Sequence, residues 1–250
     1  METMENHIQI SAIVPCYEEE GAAPLLAREI RGVFSDLGRP FEIIFVDDAS
    51  TDGTVGALEQ VKADVPELVI VRHGFNCGQS AAVASGIAAA QGDVVVTMDG
   101  DGQNDPADIP GLLDLLEGAD VVCGVRTRRQ DSFVRRCSSK IGNGFRNIVT
   151  RDAVTDTGCA LRVMRREALA ELPVFNGVHR FLPSILRVQG YRVIEAPVGH
   201  RPRTMGISKY GIGNRLLRGL VDCLAMLWWR RRAIPARRLF PARRQESSRP

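Results

Sequence analysis

Short apolar runs alternate with helix-period segments over the first 125 positions. Ile8 to Val14 reads as a buried strand, Gly21 to Leu37 as a helix, Glu42 to Val46 as a strand and Thr54 to Ala63 as a helix. Leu68 to Arg72 is a third strand, Gln79 to Gln91 a helix built from small residues, and Asp93 to Met98 a fourth strand. A helix over Asp108 to Leu116 and a strand over Asp120 to Val125 follow. Strands separated by helices in this way predict an α/β fold with a mainly parallel sheet and right-handed crossovers.

Beyond Arg126 the pattern is less regular. It predicts a helix from Ser132 to Val149, a short strand around Ala160 to Met164, helices near Arg166–Leu172 and Arg180–Gln189, and a strand from Tyr191 to Val198. The expected organisation is one domain over 1–211, with a nucleotide-binding half to about residue 125 and an acceptor half after it, then a distinct segment 212–250. In that segment Ile212, Leu216, Leu217, Leu220, Val221, Leu224, Leu227 and Trp228 recur at helix period, while Arg215, Arg218 and Asp222 gather on another face. Such a helix either docks its apolar face on the core or lies in a membrane interface. The paired Trp228-Trp229 and the arginines that follow favour the interface.

Charge sharpens that picture. The 250 residues carry a net +2, but residues 230–250 hold eight arginines against one glutamate, leaving 24 basic and 29 acidic side chains before them. The tail is therefore a separate physical object, while the body is net acidic. Clustered arginines can bind any polyanion, which keeps a polyanion-binding protein open as a non-enzymatic alternative. No nucleic-acid motif accompanies the tail, so no nucleic-acid partner is expected. Leu216 to Trp229 is interrupted by Arg218 and Asp222 and is too short to cross a bilayer. Six cysteines without CxxC spacing, and an N-terminus lacking the basic-then-apolar pattern of a signal peptide, predict reduced, mostly buried thiols in a cytoplasmic protein.

The chemistry gathers where apolar runs stop, the edge at which α/β sheets hold ligands. The first strand ends in Val14-Pro15-Cys16-Tyr17-Glu18-Glu19-Glu20, not in a glycine-rich turn, so the dinucleotide fingerprint is missing. The second ends at Val46 and runs into Asp47-Asp48-Ala49-Ser50-Thr51-Asp52-Gly53-Thr54. Its carboxylates can accept from ribose hydroxyls or a base N–H, and Ser50, Thr51 or Asp52 can equally cap the next helix. The fourth stops at Asp99-Gly100-Asp101-Gly102-Gln103, where two carboxylates two residues apart point to one side in extended geometry. Such hard oxygen ligands suit Mg²⁺ or Mn²⁺ beside a phosphate. Asp and Gly also suit a plain polar turn.

Taken in order, VPCYEEE, DDASTDGT and DGDGQ resemble the motifs of inverting GT-A glycosyltransferases. The resemblance implies that Pro15, Tyr17 and Glu19 contact base and ribose, Asp48 the base, and Asp99, Asp101 and Gln103 the metal and diphosphate, with Val46 and Gly100 completing the donor site. Gly124-Val125-Arg126, Arg135 with Ser139, Asp156-Thr157-Gly158-Cys159, Arg162, Asn176 to Phe181 and Arg203 to Gly211 narrow it to enzymes similar to dolichol-phosphate mannosyltransferase and its bacterial polyprenyl-phosphate relatives. The match covers nearly all of residues 8–229.

By that resemblance Arg126, Arg135 and Ser139 hold the lipid phosphate, Arg203 and Lys209 close on the donor diphosphate, and Asp99, Asp101 and Arg126 form the catalytic set. A basic helix that is merely solvated also accounts for Arg135, which stands beside Arg136 and near Lys140, and an ordinary half-buried histidine accounts for His179. The implied reaction moves a sugar from GDP-mannose or a UDP-sugar to a polyprenyl phosphate at the inner face of the membrane. Anchoring would be peripheral or borrowed from a membrane-protein partner. Transfer to a saccharide or protein hydroxyl is the enzymatic alternative; it requires a carboxylate base, for which Asp156 is the candidate.

Overall fold

The computed structural model describes residues 7–127, 154–202 and 213–234. Its strands are β1 (Ile10–Cys16), β2 (Phe41–Asp47), β3 (Leu68–Arg72), β4 (Val94–Thr97), β5 (Val121–Arg126), β6 (Arg162–Arg165) and β7 (Val193–Val198). The helices are α1 (Ala23–Asp36), α2 (Thr54–Val61), α3 (Gln79–Ala89), α4 (Ile109–Leu115), α5 (Val178–Val188) and α6 (Gly213–Arg232). The strands form one seven-stranded sheet in the order β3-β2-β1-β4-β6-β5-β7. All pairs are parallel except those of β6, which runs antiparallel to both β4 and β5.

Strands buried on both faces read as continuous apolar runs, and the two faces divide them with period two. Ile10, Ala12 and Val14 pack with Ile30 and Phe34 of α1 and Ile109 of α4. Ile13, Ile44 and Val46 point the other way, with Ala82 of α3 and Leu182 and Leu186 of α5. α3 approaches β1 closely because Gly86 has no side chain: a Cβ there would stand 2.3 Å from Ile13 Cγ2. That approach sets where the N-terminus of α3 meets the sheet edge.

β1 runs two residues past the expected end, through Pro15. The pairing with β4 stops at Ile13, whereas the pairing with β2 continues to Cys16. Cys16 O accepts from Asp48 N on the β2 side, so the donorless Pro15 nitrogen faces the side where β4 has ended. The helix expected over Arg166–Leu172 is a 3-10 turn, Arg166–Leu169, and α5 begins at Val178 behind a left-handed Gly177 (φ 101°). The helix expected over 132–149 lies outside the described residues.

α6 takes the first of its two expected roles, docking on the core. Cys223 and Met226, with Trp229 beside them, pack against Val178, Phe181 and Ile185 of α5. One step round the helix, Val221, Leu224 and Trp228 are 56%, 54% and 62% exposed, an apolar stripe that the described fold leaves uncovered. Among the described residues no helix is long and apolar enough to cross a membrane.

Candidate active site

The loops after β1 and β2 are laced together. Glu18 N donates to Ser50 Oγ at 2.8 Å, Glu19 N to Thr54 Oγ1 at 2.8 Å, and Gly53 N to Glu20 Oε2 at 3.2 Å. Both loops make a left-handed turn without glycine, at Glu18 (φ 53°) and Ala49 (φ 61°), a conformation that persists only where surrounding bonds enforce it. Asp52 Oδ1 accepts from Thr54 N at 3.0 Å, so of the three candidates Ser50, Thr51 and Asp52 it is Asp52 that bonds the first residue of α2. Pro15, Tyr17 and Glu19 are half-buried along this edge. Val46 is different: it is fully buried, with its side chain in the core layer under α3 instead of the cleft.

Asp48 is 4% exposed and already engaged. Its Oδ1 accepts from Cys77 N at 2.8 Å and meets His73 Nδ1 at 2.7 Å, and its Oδ2 accepts from Gly78 N at 2.7 Å. The carboxylate thus holds the 73–78 loop against the end of β2, placing Gln79 at the start of α3. Among the described residues Asp48, His73 and Cys77 also form one group close enough to share a metal. The chemistry of the set argues against it: both Asp48 oxygens accept hydrogen bonds, and His73 spends its second nitrogen on Ser85 Oγ at 2.9 Å.

The turn after β4 is built differently. Gly100 lies where a Cβ would stand 2.9 Å from Pro15 O and 3.1 Å from Cys16 Cβ, so only glycine lets the turn cross the end of β1. Gly102 supplies a left-handed step (φ 73°). Asn104 Oδ1 accepts from Asp99 N at 3.1 Å, and Gln103 O accepts from Arg201 N at 2.9 Å. Arg201 in turn bridges Asp105 and Glu29 at 2.7 and 2.6 Å. The turn is fastened at its base while Asp99 and Asp101 remain at its tip. Asp99 accepts from Gln79 Nε2 at 2.7 Å. Burial, then the neighbouring Asp101 charge, push its carboxyl up to about 6 against the pull of Arg162 and Arg126. A buried carboxylate whose ionisation a neighbouring carboxylate disfavours fits a divalent cation, which removes that repulsion.

Across the edge, Arg126 at the end of β5 forms a two-pronged ion pair with Asp156: Nε to Oδ2 at 2.7 Å and an Nη to Oδ1 at 2.9 Å. Gly158 N also donates to Asp156 Oδ1, at 3.1 Å, and the Gly158 Cα faces the Arg126 guanidinium with no room for a side chain. Between Asp99 and the Gly158 wall opens a cleft of about 440 Å³ lined by Gln79, Asp99, Gly158, Arg162, His179 and Arg180 among others. Sequence reasoning gave Arg162 no role, Gln79 none, and His179 an ordinary structural one. His179 Nδ1 meets Ser80 Oγ at 2.7 Å, and the same oxygen accepts from Gly177 N at 2.8 Å. Burial, then Arg180 and Arg162, pull the imidazole down to about 3. Arg135, Ser139, Arg203 and Lys209 lie outside the described residues. The five described cysteines are free thiols, and all but Cys77 are buried.

A parallel sheet closed by one antiparallel strand, with an Asp-x-Asp turn crossing the end of β1, defines the GT-A class of sugar-transferring enzymes, and this chain belongs to glycosyl transferase family 2, whose profile matches residues 11–173. It is a glycosyltransferase with the GT-A fold. Its curated relatives include undecaprenyl-phosphate 4-deoxy-4-formamido-L-arabinose transferases. The Aeromonas hydrophila protein is 35% identical over 219 residues, and that of Klebsiella pneumoniae strain 342 is 36% identical over 220; each alignment covers 86% of this chain and 67% of the relative. Among solved structures, glucosyl-3-phosphoglycerate synthase from Mycobacterium tuberculosis with Mn²⁺, uridine diphosphate and phosphoglyceric acid superposes with a TM-score of 0.65. The identity is 20%, over 89% of this chain and 78% of that one. The same enzyme with Mg²⁺ and uridine diphosphate gives 0.66 at 20% identity, over 89% and 79%.

Proposed function

We propose that this glycosyltransferase moves a sugar from a nucleotide diphosphate donor to the phosphate of a polyprenyl lipid, with inversion, at the cytoplasmic face of a membrane. One observation carries the reading: among the described residues the two base candidates of the acceptor half, Asp156 and His179, are ill-suited to take a proton, while the Arg126 guanidinium is held in place. An alcohol acceptor needs a base with a free lone pair. Asp156 gives both oxygens to Arg126, and burial beside Arg180 and Arg162 pulls the His179 imidazole down to about 3, too weakly basic to take a proton from an alcohol. A phosphate monoester arrives largely ionised, since its second ionisation lies near pH 6. It needs positioning, for which Arg126 keeps N–H groups beyond the two it gives to Asp156. The relatives named for undecaprenyl phosphate support the same acceptor.

In this reading Pro15, Tyr17, Glu19 and Asp48 form the base and ribose end of the donor site, and Gly100 keeps the turn against it. Asp99, Asp101 and Gln103 hold Mg²⁺ or Mn²⁺, which when bound neutralises charge on the diphosphate. Arg203 and Lys209 add cations to that diphosphate, and Arg135 and Ser139 join Arg126 at the acceptor phosphate. Residues 1–211 act as the catalytic unit, and 212–250 bring it to the lipid surface, directly or through a membrane-protein partner. GDP-mannose and UDP-sugars both fit as donors. The test supplies Mn²⁺ and each radiolabelled donor with either undecaprenyl phosphate or undecaprenol. Label is expected to enter the organic phase with the phosphate only, and comparable transfer to the alcohol would overturn the proposal.

A further inference from the structure

The antiparallel course of β6 does something that no parallel strand would. It brings the first residue of a strand, Arg162, to the edge where the parallel strands finish, opposite Thr97 and Cys123. There Arg162 is 5% exposed, and among the described residues its Nε has no hydrogen-bond partner. One Nη donates to Thr157 O at a long 3.5 Å. A desolvated guanidinium with an unfilled N–H is costly unless something supplies the missing acceptor. The residue lines the cleft between Asp99 and the Gly158 wall that abuts Arg126.

Resting on the function proposed above, we propose that this cleft receives the donor's sugar ring and that Arg162 reads it through an acceptor oxygen, a hydroxyl or an acyl carbonyl. The place suits that ligand. The donor's diphosphate belongs with Asp99 and Asp101 and the acceptor phosphate with Arg126, so the group passed between them lies in the space that joins the two. The lining suits it as well. On the same wall Arg180 adds a second guanidinium, and His179 and Asn176 stand beside it. Donor groups dominate this wall, so the ligand must contribute oxygens, and a sugar ring does so on every side. Gln79 is already committed to Asp99, which leaves Arg162 as the buried donor awaiting a partner.

The test separates sugar from nucleotide. With the donor that supports transfer in the solvent-partition assay, Arg162→Gln is expected to lower kcat/KM for the donor about tenfold or more, the loss of one charge-assisted bond. The inhibition constant of the matching nucleoside diphosphate, which carries no sugar, is expected to stay within about twofold by the same reasoning. Arg162→Lys, which keeps the charge but not the fork, is expected to recover part of the loss. If Arg162→Gln does not fold, Arg162→Lys carries the same comparison. Equal losses for donor and nucleoside diphosphate would place Arg162 at the diphosphate and overturn the proposal, as would unchanged kinetics. Absence of transfer by the wild type with every donor would overturn the function on which it rests, a result distinct from either.

Discussion

Asp99 and Asp101 show how one residue pair can be strained by charge and still be held firmly. The turn is anchored through Asn104 and Arg201, yet Asp99 titrates near 6 because burial and Asp101 oppose its ionisation. The folded value lies above the unfolded one, so ionised Asp99 costs the fold stability above pH 6, and protonation relieves that cost as the pH falls toward 4. A divalent cation binds the ionised form and competes with the proton. The rise in melting temperature on adding Mn²⁺ is therefore expected to be larger at pH 7.5 than at pH 5. An increment independent of pH would remove the metal from Asp99. Asp101→Asn keeps an oxygen for the Gln103 N–H at 3.1 Å. It is expected to cut metal-dependent transfer by on the order of a hundredfold while changing stability by less than about 0.5 kcal/mol. These two residues were legible in the sequence because they are adjacent on one turn. Arg162 and His179 were not, because they converge from β6 and α5 and no local spacing records that meeting.

At the scale of elements, the parallel half of the sheet was legible because apolar runs and helix-period segments alternate, and because each parallel strand ends in its own polar motif. Strand direction after Arg126 was not. The chain leaves β5 at the site edge and is next described at Val154, with Asp156 still paired to Arg126. A strand entered from that edge can only run back down, and its four residues, Arg-Val-Met-Arg, carry no mark of direction. Helix placement depends equally on a contact that sequence does not display. α3 carries Gln79 to Asp99 only because Gly86 lets it sit against Ile13 and Val46. Gly86→Ala is expected to destabilise the fold by about 1–3 kcal/mol through overpacking. It should also weaken metal-dependent transfer, because shifting α3 away from the sheet moves Gln79 from Asp99. Chemical denaturation beside the transfer assay checks both. A variant with wild-type stability and activity would mean that the β1 to α3 spacing has slack that the geometry does not suggest.

For the molecule as a whole, α6 is the element at which the proposed approach to a lipid surface can be tested. Its inner stripe is fixed on α5, whose first turn carries His179 and Arg180 into the cleft, so the helix is part of the same rigid framework as the site wall. Its outer stripe, Val221, Leu224 and Trp228, stays exposed and runs into Arg230, Arg231 and Arg232, with the Arg232 guanidinium 5.8 Å from the Trp228 ring. Apolar residues flanked by arginines match a bilayer interface, where each basic residue near an anionic surface contributes about 1 kcal/mol. Leu224→Ser with Trp228→Ser changes exposed positions only, so the fold and transfer to a short, soluble prenyl phosphate are expected to survive. Binding to vesicles containing anionic lipid should fall about tenfold, since burying even part of two such side chains is worth more than 1.4 kcal/mol. Raising salt should release the wild type by screening its arginines. Equal binding of the wild type to neutral and anionic vesicles would show that the arginines do not engage the surface. Unchanged binding by the double variant would show that the stripe does not either, and a membrane-protein partner would then account for how this enzyme reaches its lipid.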